Sequence, residues 1–302
     1  MEKRKLGNTG LEVTVIGFGA MTIGGTFGPV DDGESIKALH AAIDGGMNFI
    51  DTSDAYGEGK SETVIGKFLK ERSDRDKILI FTKGGNNMVT GQYNFDPQYI
   101  GKCLEGSLKR LGVGRIDLYQ LHNPNVDNMQ AEDSYALLEK AKADGKIRYW
   151  GVSVNTVPEC ELAAKQKKSA VMQMEYNVIS QEAAPAFERA KKAGLGVISR
   201  VPLKRGFLSG RIDEAFQFAE GDRRKRILTP ENIKKFQAQL RRVQEVATQL
   251  RISPAEAALR FVVSNPNVSC VIPGIRSADQ ARQNAKSSEA LPAEAVKRLQ
   301  GA

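Results

Sequence analysis

The sequence predicts an α/β fold on eight parallel strands, and three observations carry that reading. Short apolar runs alternate with helix-spaced amphipathic segments along the whole chain of 302 residues. The runs lack polar alternation, which suits parallel strands covered on both faces. No tract rich in Pro, Gly or Ser interrupts the pattern, so residues 1–302 read as one domain. Such regular strand–helix repetition leaves two architectures, a closed barrel or a doubly wound sheet.

The glycine-punctuated stretch Leu6-Gly7-Asn8-Thr9-Gly10-Leu11 comes first and reads as an N-terminal β-hairpin plugging a barrel floor. Strands are expected at 15–19, 48–51, 78–82, 117–121, 149–153, 171–174, 196–199 and 269–272, each followed by a helical pattern. An extra helix near the C-terminus opens at Thr229-Pro230-Glu231, where Ile233, Phe236, Leu240, Val243, Val246 and Leu250 recur at helical spacing. Another opens at Ser253-Pro254-Ala255-Glu256, which joins an N-cap serine, a proline at the first helical position and a capping-box glutamate.

Composition narrows the function classes. Lys and Arg total 44 against 36 acidic residues, a formal charge of +8. That balance suits nucleic acid or a polyphosphate ligand. The densest run, Asp222-Arg223-Arg224-Lys225-Arg226, is short and carries no interleaved aromatic residue, so it reads as a solvated face and no nucleic acid is expected. No apolar run spans a membrane, and the charged start Met1-Glu2-Lys3-Arg4-Lys5-Leu6 lacks the apolar core of a signal peptide. Cys103, Cys160 and Cys270 are odd in number and widely spaced, giving neither a disulfide framework nor zinc spacing. A cytoplasmic protein without a metal is expected, and its oligomeric state is not legible. There is no Walker loop, and Gly17-Phe18-Gly19 has Thr22 where a dinucleotide fingerprint needs its third glycine.

The chemistry gathers at strand ends. Asp51 ends the second strand, Tyr56 follows five residues later, Lys83 ends the third strand and His122 the fourth. Any one of them alone is an ordinary structural residue. In an eight-stranded barrel all four converge at the C-terminal rim, where barrel enzymes place their chemistry. Hydride addition to a carbonyl builds negative charge on oxygen, which a proton must neutralise. A free phenol, with a pKa of about 10, is a sluggish donor. An ammonium from Lys83 lowers that pKa, Asp51 keeps Lys83 charged and aimed, and His122 orients the carbonyl.

These four residues resemble the catalytic tetrad of the aldo-keto reductase superfamily, and the surrounding text agrees: Phe49-Ile50-Asp51-Thr52, Ala55-Tyr56-Gly57, Thr82-Lys83, Gln120-Leu121-His122 and Gly151-Val152-Ser153. The likeness runs from about Lys5 to about Asn284. It implies a (β/α)8 barrel that binds an extended nicotinamide dinucleotide without a Rossmann motif, and a reductase acting on a small aldehyde or ketone. By the same resemblance, Ser153 and Gln173 hold the nicotinamide carboxamide, with Val154 and Asn155 where the family often has asparagine directly after the serine. Arg200 stands where many members stack an aromatic ring on the nicotinamide. Pro202, Leu203, Lys204, Gly206 and Leu208 resemble the pyrophosphate loop. Gly274, Arg276, Ser277, Gln280 and Asn284 resemble the adenosine-phosphate segment. Arg276 and Ser277 favour NADP(H), with NAD(H) still open.

Met21, Phe27, Asn86 and Asn123, with Tyr56 and His122, are the expected substrate walls, and the short tail to Ala302 implies an open pocket. Two other classes remain. One is a nicotinamide-sensing regulatory subunit resembling potassium-channel β subunits. The other is a Schiff-base lyase using Lys83.

Overall fold

The structure, a computed structural model, describes residues 1–87 and 90–301. Its sheet is a (β/α)8 barrel. The strands are β1 (Phe18–Gly19), β2 (Phe49–Asp51), β3 (Leu79–Gly84), β4 (Ile116–His122), β5 (Ile147–Ser153), β6 (Val171–Glu175), β7 (Gly196–Arg200) and β8 (Cys270–Ile272). Neighbours in sequence are neighbours in the sheet, and every pairing between them is parallel. Parallel bridges Ile16↔Val271 and Gly19↔Gly274 close the ring between β1 and β8. The doubly wound alternative is thereby excluded.

The expected strands lie within a few residues of those observed. Two glycines show why β1 is short and smooth. A Cβ at Gly17 would lie 2.0 Å from the Phe49 ring, and one at Gly19 would lie 2.6 Å from the Pro273 carbonyl oxygen. Large residues of neighbouring strands therefore fill the barrel where β1 yields space.

The N-terminal hairpin pairs Lys3–Lys5 with Glu12–Thr14 and turns through a 3-10 segment, Gly7–Thr9. Leu6, Leu11 and Val13 join Phe49, Phe81, Leu118, Val171 and Ile198 in one buried cluster, so the hairpin does plug the floor. At roughly 1.5–3 kcal/mol for each large apolar side chain buried, this plug is a substantial part of the core. A second, larger cluster fills the space between the strands and the outer helices.

The helix between β7 and the Ser253 start is Pro230–Leu250, capped by Thr229 through the Asn232 N–H. Ile233, Leu240, Val243 and Val246 are buried, while Phe236 and Leu250 pack at the margin. Ser253 caps Pro254–Val263 as expected, at 3.1 Å from the Glu256 N–H. The Glu256 carboxylate reaches Arg260, at 3.5 Å, an i,i+4 pair on the same helix. After β8 come Ala278–Ala285 and Ala293–Gln300. Among the described residues no helix is long and apolar enough to cross a membrane.

Candidate active site

The rim above β2, β3 and β4 gathers the four predicted catalytic residues. Asp51, Lys83, Tyr56 and His122 are all buried, Lys83 completely so. Strand register sets the first contact, since β2 and β3 are adjacent and parallel. Lys83 Nζ donates to Asp51 Oδ1 and, at 2.9 Å, to the Thr52 carbonyl. It stands 5.4 Å from the centre of the Tyr56 ring. The His122 imidazole meets that ring edge-on, with centroids 5.8 Å apart and planes at 88°.

Tyr56 owes its position to a tight approach. The segment Thr22–Gly24 packs on its backbone, and a Cβ at Gly24 would lie 2.7 Å from the Tyr56 carbonyl carbon. Thr22, which breaks the dinucleotide fingerprint, donates its hydroxyl to the Ile275 carbonyl at 2.5 Å and so ties the β1 loop to the β8 loop.

Electrostatics sort the four roles. Burial works against the Lys83 charge, but Asp51 and Tyr56 outweigh it and hold the ammonium above the ordinary lysine value. Burial pushes the Tyr56 phenol up, and Lys83 only partly offsets this. The expectation of a lowered phenol is therefore not met in the protein alone, because desolvation of the buried ring outweighs the neighbouring charge. Burial, reinforced by the cations Lys83 and Arg200, drives His122 well below the ordinary imidazole value, so its ring is neutral.

Sequence reasoning missed the support around Asp51 and His122. Gln120 Nε2 and Gln173 Nε2 donate to Asp51 Oδ2, at 3.3 and 2.9 Å. Ser153 Oγ reaches Gln173 Oε1 at 3.4 Å. Ser153 and Gln173, expected at the nicotinamide amide, are thus brought beside the tetrad and bonded into it. Ser53 Oγ lies 2.9 Å from His122 Nδ1. In the sequence Ser53 carries no signal beyond its place between Asp51 and Tyr56.

The expected cofactor residues line the β7 and β8 ends. Arg200 Nη2 donates to the Val154 carbonyl at 2.9 Å and to Asn155 Oδ1 at 2.7 Å, so Asn155 holds Arg200. Arg200 Nε is buried with no hydrogen-bond partner among the described residues. Beyond it the backbone turns left-handed at Val201, Lys204, Arg205 and Gly206, which curls the main chain into a concave loop. Pro202 is buried, Leu203 half-buried, and the Leu208 side chain fully buried in the core. Lys204 Nζ is held by Glu175 at 2.6 Å and Ser180 at 2.8 Å, so its charge is already matched.

In the β8 segment Gly274 is exposed and Ser277 caps Ala278–Ala285 through the Gln280 N–H. Gln280 Oε1 accepts the Arg276 N–H at 2.8 Å, and Asn284 is buried at the far end of that helix. Among the described residues the Arg276 guanidinium donates to two main-chain carbonyls, Phe27 and Pro29, each at 3.2 Å, and Asp222, already bonded to Arg224, is the carboxylate that feels its charge. A buried Arg200 donor without a partner among the described residues, a left-handed loop and a guanidinium bonded to main-chain carbonyls beside a helix start fit an extended dinucleotide polyphosphate.

The expected substrate walls separate into two groups. Asn86 is buried, and Asn123, in a left-handed conformation, donates its N–H to the Ser153 carbonyl at 2.7 Å beside the tetrad. Met21 is half-buried in the β1 loop. Phe27 instead sits under the Arg224 guanidinium at 5.1 Å, toward Arg276. Arg224 is also bonded to Asp222 and faces Phe216 and Phe218, so this part of the basic run is a packed clasp rather than a solvated face.

The comparisons with known proteins agree with this geometry. Residues 15–302 match the model of the Aldo/keto reductase family. The aldo-keto reductase yakc [NADP(+)] of Schizosaccharomyces pombe is 32% identical over 291 residues, which cover 93% of this chain and 85% of that protein. Two solved structures share the fold. The aldo-keto reductase AKR11C1 from Bacillus halodurans, in its holo form, has a TM-score of 0.83 at 28% identity, covering 100% of this chain and 96% of that one. The glycerol dehydrogenase AKR11B4 from Gluconobacter oxydans has a TM-score of 0.85 at 27% identity, covering 99% and 94%. The chain belongs to the aldo/keto reductase family. Membership bears out the resemblance read from the tetrad and the class of enzyme it implies.

Proposed function

We propose that this protein reduces the carbonyl of a small aldehyde or ketone to the alcohol, reversibly, with NADP(H) as the preferred partner. One observation carries the reading: a buried ammonium, Lys83, fixed by Asp51 beside the Tyr56 phenol and the neutral His122 ring. Bound NADPH supplies the hydride. Ser153, Gln173 and Arg200 would hold its nicotinamide, the left-handed loop after Arg200 its pyrophosphate, and Arg276 and Ser277 its adenosine phosphate. The similarity to a relative named for NADP(+) favours that form, as does an Arg276 guanidinium that, among the described residues, makes no ion pair.

The chain's own residues then handle the proton. His122, neutral by burial, hydrogen-bonds the carbonyl oxygen and fixes its direction. Tyr56 gives its hydroxyl proton to that oxygen as negative charge grows there. Lys83 stabilises the tyrosinate left behind, and Asp51 with Gln120 and Gln173 keeps Lys83 from drifting. Re-protonation of Tyr56 from solvent restores the site.

The same charge argues against a Schiff-base lyase, because imine formation needs a neutral amine and Lys83 is held protonated. The test is a panel of aldehydes, ketones and sugars followed by NADPH absorbance, with borohydride added in parallel. Steady NADPH oxidation with unmodified Lys83 supports reduction. A borohydride-trapped substrate adduct on Lys83 overturns it.

A further inference from the structure

We propose that Ser53 is a positioning residue that fixes the His122 imidazole with its single proton on Nε2. The inference deepens the reduction reading above and rests on it for its consequence, though not for its geometry.

Ser53 Oγ sits where four groups meet. The Ala55 N–H donates to it at 3.1 Å, which uses one of its lone pairs. The hydroxyl has one proton to give and three acceptors within reach: His122 Nδ1 at 2.9 Å, Asp54 Oδ1 at 3.2 Å and the Lys83 carbonyl at 3.3 Å. Distance favours His122. So does supply, because each rival has another donor. The Lys83 carbonyl accepts the Asp54 N–H at 3.1 Å, and the Asp54 carboxyl is hydrogen-bonded by Cys103. His122 Nδ1 has Ser53 as its partner among the described residues.

A neutral imidazole carries one N–H, so an Nδ1 that accepts from Ser53 leaves the proton on Nε2. That nitrogen makes no hydrogen bond to the described residues. It therefore offers a donor, and not a lone pair, to a carbonyl oxygen. The opposite tautomer would set two lone pairs against each other and repel the substrate. Ser53 in this way decides whether His122 orients a carbonyl at all, while Tyr56 remains the proton source.

The chain has two histidines, His40 and His122, so 15N-histidine labelling gives two rings to read. Long-range 1H–15N spectra, assigned with His40→Gln, should show the protonated nitrogen of His122 as Nε2. In Ser53→Ala an Nδ1–H population should appear, and carbonyl-reduction kcat should fall by about ten- to a hundredfold, less than the roughly hundred- to thousandfold for outright loss of an oriented donor because the ring remains. NADPH affinity should not change, and Ser53→Thr, which keeps the hydroxyl, should restore the Nε2–H form. An Nδ1–H tautomer in the unmutated protein overturns the proposal whether or not carbonyls are reduced. So does Ser53→Ala with unaltered tautomer and rate. A protein with the Nε2–H form that reduces no carbonyl would keep the Ser53 assignment and sink the reductase reading alone.

Discussion

Lys83 Nζ donates to the Asp51 carboxylate and to the Thr52 carbonyl in a place where neither charged side chain meets solvent. Removing one member of such a pair strands the other, at a typical cost of about 3–5 kcal/mol. Lys83→Met should therefore abolish reduction and also lower the urea midpoint, because among the described residues Asp51 keeps the side-chain amides of Gln120 and Gln173 and no cation. Adding Asp51→Asn to that variant should recover part of the lost stability without restoring activity. Strictly additive losses in the double variant would show that the pair is not coupled.

Gly24 sets the height of Tyr56. With a Cβ there only 2.7 Å from the Tyr56 carbonyl carbon, Gly24→Ala must push the Tyr56 loop away. A shift of about 1 Å can cost a hundredfold in rate, so kcat should fall by roughly ten- to a hundredfold in a protein with unchanged circular dichroism. Wild-type turnover would mean that the loop position does not matter.

Arg276 should discriminate between cofactors. Arg276→Ala removes the guanidinium that, among the described residues, is bonded to the Phe27 and Pro29 carbonyls. NADPH binding should weaken by about 1.5–3 kcal/mol, the loss expected of a hydrogen bond to a charged group, and NADH binding should hardly move. Equal losses for both, measured by fluorescence titration, would make Arg276 a structural tie between loops.

Asp54 should make stability depend on pH. Burial first, and the nearby Glu62 second, raise its carboxyl to about 6. A raised value means that the folded state favours the protonated form. The benefit is present below the unfolded carboxylate range and is lost as pH rises through about 6. Asp54→Asn cannot titrate, so its stability relative to the unmutated protein should improve by roughly 2 kcal/mol between pH 4.5 and 7.5. A difference that stays constant with pH would contradict this.

The strands and the tetrad were legible because they depend on local pattern. An apolar run marks β4 wherever it occurs, and its polar terminus, His122, must then lie at the rim. The supporting contacts were not legible, because they join residues far apart in sequence that carry no local signal. Gln173 reaches Asp51 across 122 positions, and the buried Glu62 carboxylate meets Arg110 at 2.7 Å across 48. On a helix such a glutamate reads as a surface charge. Arg224 was misread for the same reason: its aromatic neighbours Phe27, Phe216 and Phe218 lie beside it in space, not within its basic run. The Tyr56 phenol misled in another way, since residue types reveal the opposing charge of Lys83 but not the depth of burial that outweighs it.

The most direct measurement is NADPH oxidation by Tyr56→Phe with a carbonyl that the unmutated protein reduces. The ring remains and only the hydroxyl goes, so the edge-on contact with His122 and the barrel should persist. With Tyr56 as proton donor, kcat falls by at least about a hundredfold, the usual loss for a general acid, while NADPH affinity stays within about twofold. Near-normal turnover by this variant would contradict the account at its centre.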